Sequence, residues 1–234
     1  MKVLSIGNSF SQDAQRYLSR VARAAGVEMQ TVNLYIGGCP LERHYRNMLA
    51  EDRAYELEFC GMQTGFKTSI KEALLTQPYD VVTVQQASPS SFRPQTYEPF
   101  LSELAAYIRK CCPHAKLYFH RTWAYENGSD RLAAMGFASS REMHNAIVKA
   151  YEEKVAPLGF DGEIPAGDTM MKLMDGGHTA HRDTFHASFG IGRYAIALTW
   201  LKTLAGVSPE GNSFRDFDVP MTEEEILAAQ NAAM

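Results

Sequence analysis

The chain has 234 residues, of which 45% are hydrophobic and 21% charged, a composition typical of a globular protein. It carries 23 Lys and Arg against 27 Asp and Glu. The resulting net charge of −4 argues against a nucleic-acid partner, because nucleic-acid-binding proteins usually carry a basic stripe. No apolar run approaches the roughly 18 residues of a membrane span, so no membrane contact is expected.

The cysteines and the N-terminus bear on the cellular compartment. None of the four cysteines belongs to a C-x-x-C pair, so reduced thiols are expected rather than a disulfide framework or a zinc knuckle. The apolar run at residues 3–6 is too short for a signal peptide. We therefore expect a cytoplasmic protein, with a removed leader peptide as the alternative. The sequence leaves the oligomeric state open.

The first half of the chain alternates between strand and helix patterns. A buried apolar run predicts a strand over residues 3–6, and helical spacing closed by Gly26 predicts a helix over residues 9–25. The patterns that follow predict, in order, a strand over 27–36, a turn over 37–40, a helix over 41–49, a hairpin over 55–68, a helix over 70–75 and an apolar strand over 79–84.

The second half continues the same alternation. Its patterns predict an irregular loop over 89–94, a helix over 99–112, a strand over 116–120, a long loop over 121–136, a helix over 139–155, a weak strand over 160–164, and helices over 187–204 and 223–229. Such alternation predicts one α/β domain over residues 1–234. We expect a three-layer α/β/α sandwich with a mainly parallel, flavodoxin-like sheet and a small inserted hairpin.

Functional side chains in such folds lie on loops at the carboxyl ends of the strands. Ser9 stands between the first strand and the first helix, where free backbone N–H groups and the helix dipole can stabilise negative charge. A cap on the helix is the simpler role for this serine. His186 follows Asp183 at a spacing that lets the carboxylate orient the imidazole, although a polar turn would read the same way.

Three segments together match a known pattern. Ile6-Gly7-Asn8-Ser9-Phe10, Asn33-Leu34-Tyr35-Ile36-Gly37-Gly38 and Asp183-Thr184-Phe185-His186 resemble, in the right order, blocks of the SGNH (GDSL-like) hydrolases. The resemblance implies a serine esterase with Ser9 as nucleophile, His186 as base and Asp183 as its orienting acid. It also implies that the backbone N–H groups of Ser9 and Gly38 bind the oxyanion, and that no cofactor is needed.

The third block of that family departs from the pattern. Where the family places an Asn after the central strand, this chain has Gln85 and Gln86. A glutamine offers the same amide donor on a longer stem, so Gln85 is predicted as the third oxyanion donor, with Gln86 as the alternative. Two glutamines that merely end a strand remain the simpler interpretation.

The expected substrate is a short-chain acyl ester, such as an acetyl ester of a carbohydrate. Aromatic side chains near the site loops could stack on sugar rings, although core packing explains such aromatics more often. Gln86, Trp123 and His181 are candidate substrate contacts. Ser213 repeats the string around Ser9 but has no strand before it, so it is predicted to lie in a turn.

Two other functions remain open at this point. His178, His181, Asp183 and His186 form a possible metal-ligand set by residue type, which would suit a metal-dependent hydrolase. Alternatively, the polar loop at the start of the first helix could bind a nucleotide or flavin in a non-catalytic, flavodoxin-like module. Of the potential partners, the sequence favours a small ester substrate.

Overall fold

The strands form one sheet of seven. The computed structural model describes all 234 residues. Its strands are β1 (Lys2–Gly7), β2 (Gln30–Tyr35), β3 (Tyr55–Phe59), β4 (Met62–Thr68), β5 (Val81–Val84), β6 (Lys116–His120) and β7 (Gly162–Ile164). The spatial order is β4-β3-β2-β1-β5-β6-β7. Five neighbouring strands are parallel, namely β2, β1, β5, β6 and β7. The predicted hairpin is β3–β4, which extends the sheet antiparallel to β2.

Helices cover both faces of this sheet. They are α1 (Ser9–Gln15), α2 (Leu18–Ala24), α3 (Leu41–Ala50), α4 (Ile70–Thr76), α5 (Phe100–Cys111), α6 (Asp130–Ala134), α7 (Ser140–Lys154), α8 (Ala166–Asp175), α9 (Ile191–Ala205) and α10 (Glu223–Ala233). One apolar core packs the sheet against α1, α2, α8, α9 and α10, and a second packs it against α3, α4 and α5. The three-layer α/β/α prediction is therefore confirmed. No helix combines the length and the apolar character needed to span a bilayer.

Side chains of β1 point to both faces of the sheet, so this strand contributes residues to both cores. Val3 belongs to the first core, whereas Leu4 and Ile6 belong to the second. All three are 0–1% exposed, since β1 lies between β2 and β5. Apolar burial on both faces fixes the register of the central strand. The end of β1, and with it Ser9, is therefore held rigidly at the carboxyl edge of the sheet.

Several predicted boundaries differ from the structure. The helix predicted over 9–25 is divided into α1 and α2 at Arg16 and Tyr17, where Gly61 of the hairpin packs so closely that a Cβ would lie 2.5 Å from the Arg16 carbonyl oxygen. The strands predicted over 27–36 and 79–84 are shorter, since residues 27–29, 36, 79 and 80 lie outside β2 and β5. These differences leave the order of the elements unchanged.

Two helices lie in segments where the sequence pattern predicted no helix. Helix α8 occupies part of the segment 165–186, and it buries Met170, Met171 and Leu173. Its polar first turn and the two glycines after it obscured the helical pattern. Helix α6 lies within the predicted loop 121–136 and has only five residues, with Ser129 as its N-cap. A helix this short carries too little periodicity to be recognised in a sequence.

Candidate active site

Ser9 is the first residue of α1 and directly follows the turn after β1. Asn8 caps this helix, because its Oδ1 accepts a hydrogen bond of 3.0 Å from the N–H of Phe10. The N–H of Ser9 belongs to the first helical turn and has no acceptor in the protein, as is usual for this position. The N–H of Gly38, in a turn with φ +61°, is also without an acceptor. Two free backbone donors are thus present near the Ser9 hydroxyl.

Ser9, His186 and Asp183 form one continuous hydrogen-bonded line. Ser9 Oγ lies 2.8 Å from His186 Nε2, and His186 Nδ1 lies 2.7 Å from Asp183 Oδ2. An imidazole that donates from Nδ1 to a carboxylate presents an unprotonated Nε2 to its other neighbour. Nε2 can therefore accept the Ser9 proton. This is the arrangement that nucleophilic serine chemistry requires.

The turn between Asp183 and His186 fixes the acid against the base. Asp183 Oδ1 accepts a 2.8 Å hydrogen bond from the His186 N–H, while Oδ2 contacts the ring. Partial burial alone would raise the pKa of Asp183, but the hydrogen bonds from His186 outweigh burial and lower that pKa. The carboxylate consequently stays ionised and can stabilise an imidazolium.

A buried carboxylate on α1 holds this turn in place. Asp13 is fully buried, and it accepts hydrogen bonds from Arg182 Nη1 and Arg193 Nε, as well as from the backbone N–H of Ala187 at 3.2 Å. Arg182 and Ala187 flank the Asp183–His186 segment on either side. Asp13 therefore ties both ends of the turn to the helix that carries Ser9. No sequence pattern indicated this contact, because only the fold brings its partners together.

A cavity of about 360 Å³ opens beside the Ser9 hydroxyl. It is lined by Asn8, Ser9, Phe10, Tyr35, Gly37, Gly38, Ser88, Pro89, Tyr125, Arg131, Met135, Phe185 and His186. The hydroxyl groups of Ser88 and Tyr125 are hydrogen-bonded to each other at 2.9 Å. The wall thus combines four Phe and Tyr rings with several polar groups and a single arginine, a mixture of apolar and polar groups that is common for small-molecule sites.

Gln85 lies beneath the cavity rather than in its wall. It is 1% exposed; its Nε2 donates to Asn8 Oδ1 at 2.6 Å, and its Oε1 lies 2.8 Å from His120 Nδ1. Burial lowers the pKa of His120 to about 3, so the neutral ring donates its Nδ1 hydrogen to Gln85. One amide hydrogen of Gln85 is thus already engaged with Asn8. Its role as third oxyanion donor stays a prediction, and Asn8 is its observed partner.

The three candidate substrate contacts do not line the cavity. Gln86 is buried and accepts from the Leu41 N–H at 3.0 Å, which anchors α3. Trp123 is fully buried and stacks on Phe10 at 4.0 Å between ring centroids. His181 is 3% exposed, and its Nε2 contacts the Ala124 carbonyl. These side chains are buried around the site, and their contact with substrate stays a prediction.

The suggested metal-ligand set is not assembled. Nowhere in the chain do three or more His, Cys, Asp or Glu side chains come together in a group that could hold a metal ion. His181 points to a backbone carbonyl, and Asp183 is bonded to His186 instead of facing a shared centre. Ser213 lies in the connection between α9 and α10, with no strand before it; the turn itself is formed by residues 210 and 211, just before Ser213.

The comparison with known proteins assigns the family. A family model described as a domain of unknown function, DUF4886, matches residues 2–234. The chain belongs to the DUF4886 family. A crystal structure of a DUF4886 protein from Bacteroides uniformis is 33% identical, with a TM-score of 0.92, over 100% of this chain and 93% of that one. No curated protein matches the chain.

More distant solved structures share the fold. A protein from Slackia heliotrinireducens, predicted to be an SGNH hydrolase, is 20% identical with a TM-score of 0.62, over 87% of this chain and 98% of that one. An acetylxylan esterase from Geobacillus stearothermophilus is 14% identical with a TM-score of 0.54, over 86% and 92% of the two chains. The DUF4886 chain thus has an SGNH hydrolase-like fold.

The sequence missed several residues of the site. Arg131 and Met135 come from the segment predicted as a loop, and Phe185 directly precedes the base His186. Tyr125, from the same loop, was among the aromatic residues expected near the site. A long aromatic loop after a strand was the available signal for the first group. Nothing in the sequence indicated which of its side chains would face the nucleophile.

Proposed function

We propose that this DUF4886 protein is a serine ester hydrolase that uses Ser9, His186 and Asp183 as its catalytic triad. The observation that carries the proposal is the continuous line of hydrogen bonds from Ser9 Oγ through the His186 ring to Asp183. Its position at the carboxyl end of β1, beside an open cavity, supports the proposal further. The SGNH hydrolase-like fold is consistent with this activity.

The chemistry follows from these positions. His186 Nε2 takes the proton of Ser9 Oγ while Oγ bonds to the ester carbonyl carbon. The carbonyl oxygen becomes an oxyanion, and the free N–H groups of Ser9 and Gly38 donate to it. His186 then gives its proton to the departing alcohol oxygen as the C–O bond breaks. Asp183 stabilises the transient imidazolium without taking its proton.

Water completes the cycle. It attacks the acyl group on Ser9, and His186 Nε2 accepts one of its protons. That proton passes to Ser9 Oγ when the second tetrahedral intermediate collapses, and a carboxylic acid is released. Each proton removed is returned, so no oxidant, reductant or metal is consumed in the cycle.

We propose that the substrate is a carbohydrate that carries a short acyl group as an ester. The cavity of about 360 Å³ is small, and Tyr35 and Tyr125 offer rings against which a sugar could stack. The acetylxylan esterase with the same fold acts, by its name, on an acetylated polysaccharide. These points favour acetyl over long-chain esters.

A fluorophosphonate probe tests the nucleophile directly. The probe should add its mass to the peptide that contains Ser9, and Ser9→Ala should abolish both this label and the hydrolysis of 4-nitrophenyl acetate. Ser213→Ala is the matched control and should label as the wild type does. Labelling that persists in Ser9→Ala would overturn the proposal. A flavin absorbance band in the purified protein would instead favour the nucleotide-binding module.

A further inference from the structure

Arg131 is the one permanently charged side chain in the cavity wall. The wall contains no carboxylate, and His186 is its only other titratable group apart from tyrosines. Arg131 forms no salt bridge, whereas Arg121 and Arg141, the arginines nearest to it along the chain, both do. A guanidinium that faces a cavity without a carboxylate partner is a binding group for an anion.

Stacking keeps the guanidinium close to the catalytic residues. The central carbon of Arg131 lies 3.9 Å from the centroid of the Phe185 ring, and the Phe185 ring centroid lies 3.8 Å from that of His186. Phe185 itself is fixed, because its carbonyl accepts a 2.8 Å hydrogen bond from Trp123 Nε1. A stacked guanidinium retains its in-plane N–H donors for a ligand. The guanidinium of the exposed Arg131 therefore stacks on a ring that itself contacts the His186 ring.

The neighbouring polar groups are compatible with anion binding by Arg131. Asp183 is the nearest carboxylate of the catalytic turn, but its two oxygens are already bonded to the ring and the backbone of His186. The hydroxyls of Ser88 and Tyr125 bond to each other and bring no charge. No carboxylate of the protein forms a salt bridge with Arg131, and its neighbour in the wall, Tyr125, is uncharged.

We propose that Arg131 forms an anion subsite and that the ester substrate carries a negative charge, such as a carboxylate, on its alcohol part. The inference rests on the proposed ester hydrolysis. A short acyl group has no room for a charged substituent, so the charge belongs to the alcohol that leaves. For a carbohydrate ester, this chemistry describes an acetylated acidic sugar rather than a neutral one.

A matched pair of acetyl esters tests the subsite. 4-Acetoxybenzoate and its methyl ester differ in the charge of the alcohol part. Because the methyl ester also has the better leaving group, the readout is the ratio of their kcat/KM values, compared between the wild type and the variant. The wild type should favour the anionic ester, and Arg131→Gln should reduce the ratio of the two kcat/KM values by about tenfold. Arg131→Lys should retain part of the preference. The ratio in the wild type should also fall as salt is added.

Arg93 provides the matched control. It is an exposed arginine that also stacks on a ring, with 5.1 Å from its central carbon to the Phe92 centroid, but it does not line the cavity. Arg93→Gln should keep the wild-type ratio. An equal ratio in the wild type and Arg131→Gln, with both esters hydrolysed, would overturn the anion subsite while leaving the ester hydrolase intact.

A binding measurement separates the two proposals if turnover fails. Calorimetric titration of Ser9→Ala with 4-acetoxybenzoate and with its methyl ester needs no chemistry. Tighter binding of the anion, lost in Ser9→Ala/Arg131→Gln, would support the subsite even if neither ester is hydrolysed. Equal binding of the two compounds would overturn it.

Discussion

Arg182 Nη1 lies 2.9 Å from each of the two carboxylate oxygens of Asp13. Arg193 donates to the same carboxylate at 2.8 Å and also bonds to Asp218. Asp13 has no exposed surface, so two arginines and a backbone N–H satisfy a charge that would otherwise be buried alone. The contact joins α1 to the catalytic turn across the interior of the protein.

Asp13→Asn should weaken both the stability and the activity of the protein. The substitution keeps the shape but leaves the Arg182 and Arg193 guanidinium groups without their shared carboxylate. Breaking a buried ion pair costs about 3–5 kcal/mol of the free energy of unfolding. Urea unfolding measures this loss. At temperatures where the variant is folded, we expect fluorophosphonate labelling of Ser9 to be slower, because His186 is no longer held.

The exposed pair of Arg20 and Asp216 supplies the control. Asp216→Asn removes a similar contact from the surface, where such pairs contribute at most about 1 kcal/mol. It should leave the labelling rate unchanged. An Asp13→Asn variant that is as stable and as reactive as Asp216→Asn would contradict the role given to Asp13.

Gln85→Ala should distinguish a supporting role from direct oxyanion binding. Asn8 keeps its contacts to the Phe10 N–H and the Cys39 carbonyl when the Gln85 amide is lost. We therefore expect kcat to fall only about tenfold, since a direct donor is worth roughly 10²–10³. A larger fall, with KM unchanged, would assign Gln85 as the third donor. Gln86→Ala, which loses its bond to the Leu41 N–H, is the companion variant.

Esterase activity should survive a chelator. None of Ser9, His186 and Asp183 needs a metal for the proposed proton transfers. Prolonged incubation with EDTA followed by dialysis should leave the rate of 4-nitrophenyl acetate hydrolysis unchanged. A rate lost to EDTA and recovered with Zn²⁺ would return His178 and His181 to consideration as ligands.

Three buried histidines should make the protein less stable below pH 6.5. Burial lowers the pKa of His44 and His120 to about 3 and that of His181 to about 4. Between these values and the ordinary pKa of about 6.5, the unfolded chain binds more protons than the folded one. Stability is therefore complete above pH 6.5 and is lost as the pH falls.

Urea unfolding from pH 7 to pH 5 checks this dependence. Each histidine that stays neutral in the fold contributes a slope approaching about 1.4 kcal/mol per pH unit. His181→Asn should reduce the slope by the contribution of one histidine, up to about 1.4 kcal/mol per pH unit. His114→Asn is a control, because His114 lies in the connection between α5 and β6, outside this buried set. An unchanged slope in His181→Asn would show that His181 titrates normally.

The order of the fold could be predicted because apolar periodicity is strong in the elements that fill both cores. Val81–Val84 is buried on both faces of the sheet, and its valines predicted a buried strand. Helix α8 could not be predicted in this way, since Gly167 and Asp168 lie in its first turn and Gly176 and Gly177 follow its last residue. Its helical state depends on packing against α9, which a local pattern does not record.

The candidate site was predictable where residue type and chain order sufficed. Ser9 follows a strand, and Asp183 and His186 share one turn, so their types and spacing indicated their chemistry. The contacts of Gln85 were not predictable, because they depend on Asn8 and His120 from two other strand ends. The family resemblance predicted Gln85 as a donor but carried no information on how its longer side chain is oriented.

Ser9 and His186 are 177 positions apart, and this separation has a consequence for biosynthesis. A ribosome-bound chain that has completed β1 and β2 carries the serine but no base to activate it. Contacts of such long range form late, because the entropy of closing the intervening loop must first be overcome. The hydroxyl therefore remains an ordinary alcohol through most of translation. Under the proposed mechanism, Ser9 becomes a nucleophile only when the C-terminal segment that carries His186 docks.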